Sequence, residues 1–198
     1  ATYNYDFVND NFRDEAIRKT KQNCLIDTPL KENCYQNAYV FPFKEGQRGE
    51  VLTADGITLA SDFKEKTSID KFDTTNLQHD KKAIFVGSLW IYIWGHCFTD
   101  HFNKAWFVLT DECKRLQEEG TELVFISCTT NVPKYIQLIF HYAGIDLDKV
   151  RMITEPTIFE ELYVPENCYF HTPDKWHRFY TKEYLPLLEN IRKNVIEE

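Results

Sequence analysis

The feature that most constrains the fold is an alternation of short apolar runs with helical segments between residues 83 and 153. Three apolar runs, at residues 83–86, 122–127 and 150–153, have the length and residue types of buried strands. A helical segment separates each run from the next. This βαβαβ pattern predicts an α/β fold with a Rossmann-like parallel sheet and flanking helices on both faces.

Helix start and stop residues refine that prediction. One long helix is expected over residues 95–119, with Gly120 as its C-cap. A second helix is expected to start at a Thr130 or Asn131 cap, with Pro133 in its first turn, and to end at Gly144. An amphipathic helix is expected at the end of the chain, where apolar residues recur at three or four positions.

The N-terminal part of the chain predicts a different arrangement. Residues 1–33 are polar and form an irregular lead-in, and residues 34–43 have the aromatic and β-branched composition of a strand. Asp55-Gly56 between the runs 50–53 and 57–60 predicts a β-hairpin. Residues 61–82 are charged and predict a linker. We therefore expect one Rossmann-like domain over residues 34–198, preceded by the lead-in and containing this hairpin segment (34–60).

The composition of the chain disfavours a nucleic-acid partner and a transmembrane segment. The chain has 198 residues with 23 Lys and Arg against 31 Asp and Glu, a formal net charge of −8 that disfavours nucleic acid as a partner. The longest stretch without a charged residue, 83–99, contains glycines and polar residues, so we expect a buried core and no transmembrane segment. None of the six cysteines shows C-x-x-C spacing. Because the sequence starts at Ala1 rather than Met, a processed or shortened chain is one interpretation of it.

The candidate catalytic residues are concentrated at the start of the long predicted helix. On a helical wheel His96, Asp100 and Asn103 fall opposite the apolar stripe, at a strand-to-helix junction where such folds bind ligands. Asp100 would suit a general base, with His96 one turn earlier as its partner. A solvated helix face explains the same pattern. A metal site that adds His101 is disfavoured, because His101 shares no face with His96.

Further candidates lie close to this stretch or elsewhere in polar turns. Trp90, Tyr92 and Trp94 occupy every second position, so in an extended segment they lie on one face. They could form an aromatic wall for a glycan, although core packing explains them too. Thr130 follows the second strand of the pattern and could contact an acceptor or cap a helix. Asp146-Leu147-Asp148 has the Asp-x-Asp pattern of metal-dependent transferases, but capping of a short turn is the simpler interpretation.

Several motifs together resemble family 61 glycosyltransferases over about residues 34 to 170. The resemblance is carried by short motifs in the family's order: Asn37-Ala38-Tyr39-Val40, Val51-Leu52-Thr53-Ala54-Asp55-Gly56, Gly87-Ser88-Leu89-Trp90, Gly95-His96-Cys97-Phe98-Thr99-Asp100, Tyr142-Ala143-Gly144-Ile145, and Ile158-Phe159-Glu160-Glu161-Leu162-Tyr163-Val164-Pro165. It implies an inverting nucleotide-sugar transferase of GT-B architecture, with Asp100 at the position of the base and His96 at that of its neighbouring histidine. Asn103 matches a polar position of some members.

The resemblance also implies what this chain would do and what it would require. The family's second half is absent, so we expect the acceptor-side half of a GT-B enzyme, completed by a second domain or a partner chain. Expected substrates are a nucleotide sugar and a glycan acceptor of capsular or other surface polysaccharide, with Trp90, Trp94, Asn103 and Thr130 as acceptor contacts. No metal or other cofactor is expected, and the location would be cytoplasmic or peripheral to the membrane. The alternative is a non-catalytic module that binds glycans or proteins.

Overall fold

The computed structural model describes residues 25–44, 49–61, 69–89, 101–171 and 178–197. Its helices are α1 (Asp111–Glu118), α2 (Lys134–Ala143) and α3 (Leu185–Glu197), with 3-10 turns at Ile69–Lys71, Ala105–Leu109, Leu147–Lys149 and Lys182–Tyr184. Its strands are β1 (Leu25–Ile26), β2 (Glu32–Phe41), β3 (Glu50–Leu52), β4 (Thr58–Ser61), β5 (Gln78–Leu89), β6 (Glu122–Ser127), β7 (Val150–Ile153), β8 (Thr157–Pro165), β9 (Tyr169–His171) and β10 (Arg178–Thr181). None of the helices in these ranges is long and apolar enough to cross a membrane.

Seven of the strands form one mixed sheet in the order β4-β3-β2-β8-β5-β6-β7. Strands β5, β6 and β7 are parallel, as the βαβαβ pattern predicts, and β8 is parallel to β5. The predicted hairpin is confirmed as β3 and β4, but it joins the sheet through β2, which pairs antiparallel with β8. The sheet is therefore mixed, and the expected parallel arrangement holds for one part of it. Strands β1, β10 and β9 form a separate small sheet.

The helices of the described residues pack on one face of the large sheet. The chain moves from β5 to β6 to β7 in one direction, and right-handed crossovers in one direction put their helices on the same side. Buried residues of all three helices, including Leu116, Phe140 and Leu187, share one cluster with Ile84 and Phe125 of the sheet. The expected helices on both faces are not present in the described ranges.

The other face of the sheet carries a second cluster of buried apolar side chains, called the inner cluster below, and every member belongs to a strand. The inner cluster comprises Ala38, Val40, Val51, Ala83, Phe85, Val124, Ile126, Ile153, Phe159, Leu162 and Val164. Val51 of β3 and Ile153 of β7 lie near opposite ends of the strand order but belong to the same cluster, as expected where a sheet curls.

The short connection between β7 and β8 requires this curl. Ile153, at the end of β7, is level with Ser88 of β5, whereas Thr157, at the start of β8, is level with Gln78 of β5. In a straight sheet the two levels would be roughly 33 Å apart. The chain from Ile153 to Thr157 can span only about 14 Å. The ends of the sheet therefore meet, and a Cβ on Gly49, just before β3, would accordingly collide with Ile126 at the far end of β6.

One arginine ties the curled sheet together across its inner face. The Arg151 guanidinium of β7 donates to Asp80 Oδ2 of β5 at 2.7 Å and forms an ion pair with Glu122 at 3.2 Å. The same group lies 5.5 Å from the centre of the Phe159 ring of β8. Arg151 thereby links β7 with β5 and β8, neither of which is its neighbour in the sheet.

The long helix expected over residues 95–119 is interrupted. Ala105–Leu109 forms a 3-10 turn, and Thr110 is extended (φ −84°, ψ 154°) and caps α1 by accepting a hydrogen bond from Cys113 N. Asp111 and Glu112 in the first turn of α1 favour a helix start there. Residues before 101 lie outside the described ranges.

Two further boundaries differ from the prediction. The linker expected over residues 61–82 overlaps β5, which already begins at Gln78. Neither Thr130 nor Asn131 caps α2, whose N-cap position is Pro133 without a side-chain hydrogen bond. The polar side chains of this turn are used locally, because Thr129 Oγ1 accepts from Asn131 N. The predicted end at Gly144 is confirmed, with φ +87°.

A glycine allows the chain after residue 100 to pack directly on β5. Gly87 lies at a register shift of β5, with φ +142°. A Cβ at this position would lie 2.8 Å from His101 O and 2.9 Å from Phe125 Cε1. Both the backbone conformation and the space therefore require glycine.

Replacing Gly87 with alanine should destabilise the protein strongly. We expect Gly87→Ala to lower the free energy of unfolding by about 2–4 kcal/mol, from backbone strain and overpacking together. Gly120→Ala is the matched control, because Gly120 also has positive φ but a Cβ there meets nothing within 4 Å. It should cost only about 1 kcal/mol. Urea denaturation measures both, and equal losses would contradict the close packing at Gly87.

Loss of the Arg151 network should open the curl. Arg151→Met should lower the free energy of unfolding by about 1–2 kcal/mol, because it removes the charged hydrogen bond and the ring contact. Lys114→Met, which breaks an exposed ion pair with Asp111, should cost less than about 0.5 kcal/mol. Denaturation curves of the two variants test the difference. A cost for Arg151→Met no larger than that of the control would show that the network adds nothing to the curl.

Candidate functional site

The parallel strands end at one edge of the sheet, which we call the carboxyl edge. Leu89, Ser127 and Pro165 are the last residues of β5, β6 and β8 there. Open α/β sheets bind ligands in the crevice outside such an edge. In this protein the chain re-enters the described structure at the same place, because His101 O lies against Gly87 of β5.

Residues 101–106, called the 101–106 segment, are fastened to the chain that follows β8. The backbone oxygen of Asn103 accepts from Cys168 N at 2.8 Å, and its side-chain Oδ1 accepts from Tyr169 N at 2.9 Å. Trp106 Nε1 donates to Glu166 O at 2.9 Å. These bonds hold an irregular segment in a fixed position, because backbone groups that no strand partner satisfies are satisfied here.

Cys168 adds a further link between the same two segments. Its Sγ lies 3.5 Å from Phe102 O, and its backbone oxygen accepts from Thr181 N at 2.9 Å. Burial raises the pKa of the Cys168 thiol to about 12. The thiol is therefore neutral and donates a hydrogen bond instead of acting as a nucleophile.

The structure describes only some of the predicted site residues. His96, Asp100, Trp90 and Trp94 lie outside the described residues. Asn103 is partly buried, and its Oδ1 supports the backbone of residue 169, a structural use that the sequence did not indicate.

Two neighbouring predictions fall within the described ranges. Thr130 is exposed in the turn after β6, at the carboxyl edge. His101, considered above for a metal site with His96, is completely buried.

Lys104 is a candidate functional residue that the sequence reasoning missed. Only 7% of its surface is exposed, and its Nζ donates to Pro165 O at 2.5 Å. Burial lowers the pKa of Lys104 to about 8, and Cys168 and Glu166 oppose that shift only in part. The available signal was a single Lys among apolar residues, since Ala105, Trp106 and Phe107 follow it.

Lys104 lines a groove of about 380 Å³ at the end of the curled sheet. Tyr35 and Leu59 contribute apolar walls that pack against the inner cluster. The described lining residues are Leu30, Asn33, Tyr35, Leu59, Lys104, Val164, Pro165, Glu166 and Asn167. Glu166 is held in place, because its Oε2 accepts from Lys31 N at 3.0 Å. The groove thus brings the apolar side chains of Leu59 and Val164 together with several polar side chains.

The Asp-x-Asp pattern has a structural role. Asp146 accepts a hydrogen bond from Asp148 N at 3.1 Å and thereby caps the Leu147–Lys149 turn. Its other carboxylate oxygen lies 3.5 Å from Lys149 Nζ. The capping interpretation is confirmed. Within the described ranges no group of three or more His, Cys, Asp or Glu side chains could hold a metal ion.

The lowered pKa of Lys104 makes a prediction for stability against pH. From about pH 8 to 10.5 the unfolded chain binds more protons at this lysine than the folded chain, so this amine adds stability as pH rises. The free energy of unfolding of wild type relative to Lys104→Met should therefore increase by about 3 kcal/mol across this window. Chemical denaturation at several pH values measures it.

A surface lysine provides the control for this measurement. Lys82 forms an ion pair with Glu161 at 2.9 Å, and this pairing raises the pKa of Lys82. Its contribution to stability is present at lower pH and is lost as pH rises. The difference between wild type and Lys82→Met should therefore not grow between pH 8 and 10. The same result for Lys104→Met would contradict a lowered pKa.

Comparisons with known proteins give no match to this chain. No protein-family model, curated protein or solved structure matches the chain. The resemblance to family 61 glycosyltransferases thus rests on the short motifs quoted above, and their context in the structure is a mixed α/β fold with a seven-stranded sheet and flanking helices.

Proposed function

We propose that this chain is the acceptor-side half of an inverting glycosyltransferase that acts in the cytoplasm on precursors of a surface polysaccharide. It would transfer a sugar from a nucleotide-sugar donor to a hydroxyl group of a glycan acceptor. Asp100 is the proposed base and His96 its supporting neighbour. A second domain or a partner chain would supply most of the donor site, in the manner of a GT-B enzyme.

One observation carries the proposal. Leu89 ends β5 at the carboxyl edge, and His101 O returns to Gly87 of the same strand. The residues between them in sequence include the Gly95-to-Asp100 motif. A chain segment that leaves and re-enters at the carboxyl edge of parallel strands is the usual source of ligand-binding residues in α/β folds.

The proposed chemistry needs one general base. The acceptor hydroxyl attacks the anomeric carbon from the side opposite the nucleoside diphosphate, so a single displacement inverts the configuration. As the new C–O bond forms and the bond to the diphosphate breaks, the Asp100 carboxylate takes the hydroxyl proton. The diphosphate leaves with the electron pair of its broken bond. His96 would hold the carboxylate in position.

The acceptor contacts are proposed on the same edge. Trp90 and Trp94 would pack against sugar rings, whose apolar faces complement aromatic side chains. Thr130 is exposed at the end of β6 and has a hydroxyl available to an acceptor. The Oδ1 of Asn103 is engaged with Tyr169 N, so this residue would contact a ligand only through its amide Nδ2.

The net charge of this chain fits the division between two halves. A formal charge of −8 offers little attraction for a donor diphosphate. The cationic groups that hold the donor would then belong to the second domain or partner chain. No metal ion is part of this proposal.

The decisive experiment measures sugar transfer by the longest natural form of the protein. Asp100→Asn keeps the size of the side chain but removes the base, so kcat should fall by about 10²–10⁴-fold with little change in KM. Asp111→Asn is the control, because Asp111 is exposed on α1 and pairs only with Lys114 among the described residues. It should transfer sugar at the wild-type rate.

Two results would count against the proposal. Unchanged transfer by Asp100→Asn would remove this residue from the mechanism. Thermal stabilisation of the protein by glycans, with none by nucleoside diphosphates or nucleotide sugars and no detectable transfer, would indicate the alternative of a non-catalytic glycan-binding module. Stabilisation by both classes of ligand is the outcome we expect.

A further inference from the structure

The Lys104 ammonium is buried with only part of its hydrogen-bonding capacity used. It carries three N–H donors, and Pro165 O accepts one of them. No carboxylate oxygen of the described residues lies within 4.0 Å of Nζ, the limit for an ion pair. A buried cation is normally paired with an anion, because its desolvation is otherwise uncompensated. An anionic ligand would supply the partner that the described residues do not provide at this ammonium.

The groove beside Lys104 has room for an anion. Lys104 is one of the residues that line this groove of about 380 Å³ at the end of the curled sheet, so an anion bound there would lie close to this side chain. That volume lies in the range of small-molecule sites. The amide groups of Asn33 and Asn167 line the same groove and can donate further hydrogen bonds.

We propose that this groove binds a small organic anion, whose carboxylate or phosphate oxygen accepts hydrogen bonds from Lys104 Nζ. The apolar part of the ligand would contact Tyr35 and Leu59. Charge-assisted hydrogen bonds to a buried ammonium are stronger than neutral ones, so Lys104 contributes most of the affinity. The inference does not depend on the proposed transferase function, because it uses only the described groove.

Glu166 sets the selectivity of the groove for charge. Its carboxylate lines the same space and is fixed by Lys31 N, so it repels an anion that Lys104 attracts. A ligand with one anionic group can place that group at Nζ and turn its apolar part toward Tyr35. Glu166 also raises the pKa of Lys104, so its effect on anion binding is separated from protonation only well below pH 8, where the amine stays protonated. There, removing the Glu166 charge should strengthen binding of any anion, and of a divalent one most.

Binding of the anion is linked to protonation of Lys104. Among the described residues, the ionisable groups that act on Lys104 are the Glu166 carboxylate and the Cys168 thiol, and Tyr35 lines the groove. On the lysine's own segment His101 is buried three positions earlier. The thiol is neutral below pH 10, since burial raises its pKa to about 12. Anion affinity should then fall as pH rises through about 8, where the amine loses its proton.

The test uses the full chain with isotope-labelled lysine, observed by NMR as a function of pH. The probes are inorganic phosphate and, separately, acetate, so that the two sources of anionic oxygen are distinguished. At saturating probe, the titration midpoint of the Lys104 Cε resonance should rise by about one pH unit. A midpoint that stays the same with both probes would overturn the proposal.

Variants assign the effect to the groove. Lys104→Met should weaken binding of the active probe about tenfold or more, whereas Lys82→Met, which removes an exposed lysine, should leave it unchanged. Glu166→Gln keeps an oxygen that can accept from Lys31 N. Measured at about pH 6, where Lys104 is protonated in both proteins, it should tighten binding about two- to fivefold. Equal affinity in wild type and Glu166→Gln, or equal weakening by the two lysine variants, would contradict a site at this groove.

The wild-type titration and Glu166→Gln do not require Lys104→Met to fold. If that variant is unfolded, a raised midpoint in wild type together with tighter binding to Glu166→Gln still supports the proposal. An unchanged midpoint together with unchanged affinity still refutes it. Failure of this test would leave the transferase assay on Asp100 unaffected, since that assay concerns another residue.

Discussion

The three-residue connection between β7 and β8 is the constraint on which the rest of the structure depends. It forces the ends of the sheet together, and the inner cluster forms from strand residues alone. The helices of the described residues pack on the outer face. The carboxyl edge becomes the end of a curled sheet, and Lys104 and Glu166 border the groove there. Arg151 supports this arrangement from inside, since it links β7 with β5 and β8.

Local signals in the sequence predicted the elements better than their assembly. The hairpin at Asp55-Gly56, the parallel order of β5, β6 and β7, and the helix end at Gly144 follow from turn chemistry and apolar periodicity. The curl brings Gly49 close to Ile126, and no local pattern predicts an approach between residues so far apart in sequence. Thr110 was a local signal for a helix start, but the apolar stripe that continues through it favoured one long helix.

In the candidate site, too, the sequence predicted local features better than contacts between distant segments. The sequence directed attention to residues 96–103, and the structure adds that the described end of this stretch is fixed by hydrogen bonds to residues 166–169. Asn103 was predicted to face a substrate because a helical wheel turned it outward. It belongs to an irregular segment instead, where its side chain supports a backbone amide. The sequence did not point to Lys104, because a helical wheel shows only that this lysine lies beside the apolar stripe and gives no reason to expect its burial.

The pairing of β2 with β8 has a consequence for how the chain folds. Glu32 is opposite Pro165, so the strand nearest the start of the sheet is completed by one of its last strands. Contacts between residues so distant in sequence are costly in chain entropy and slow folding. During synthesis, the edge of β2 that pairs with β8 stays unpaired until β8 has left the ribosome. A fragment that stops before residue 157 would expose that edge permanently and should aggregate rather than fold.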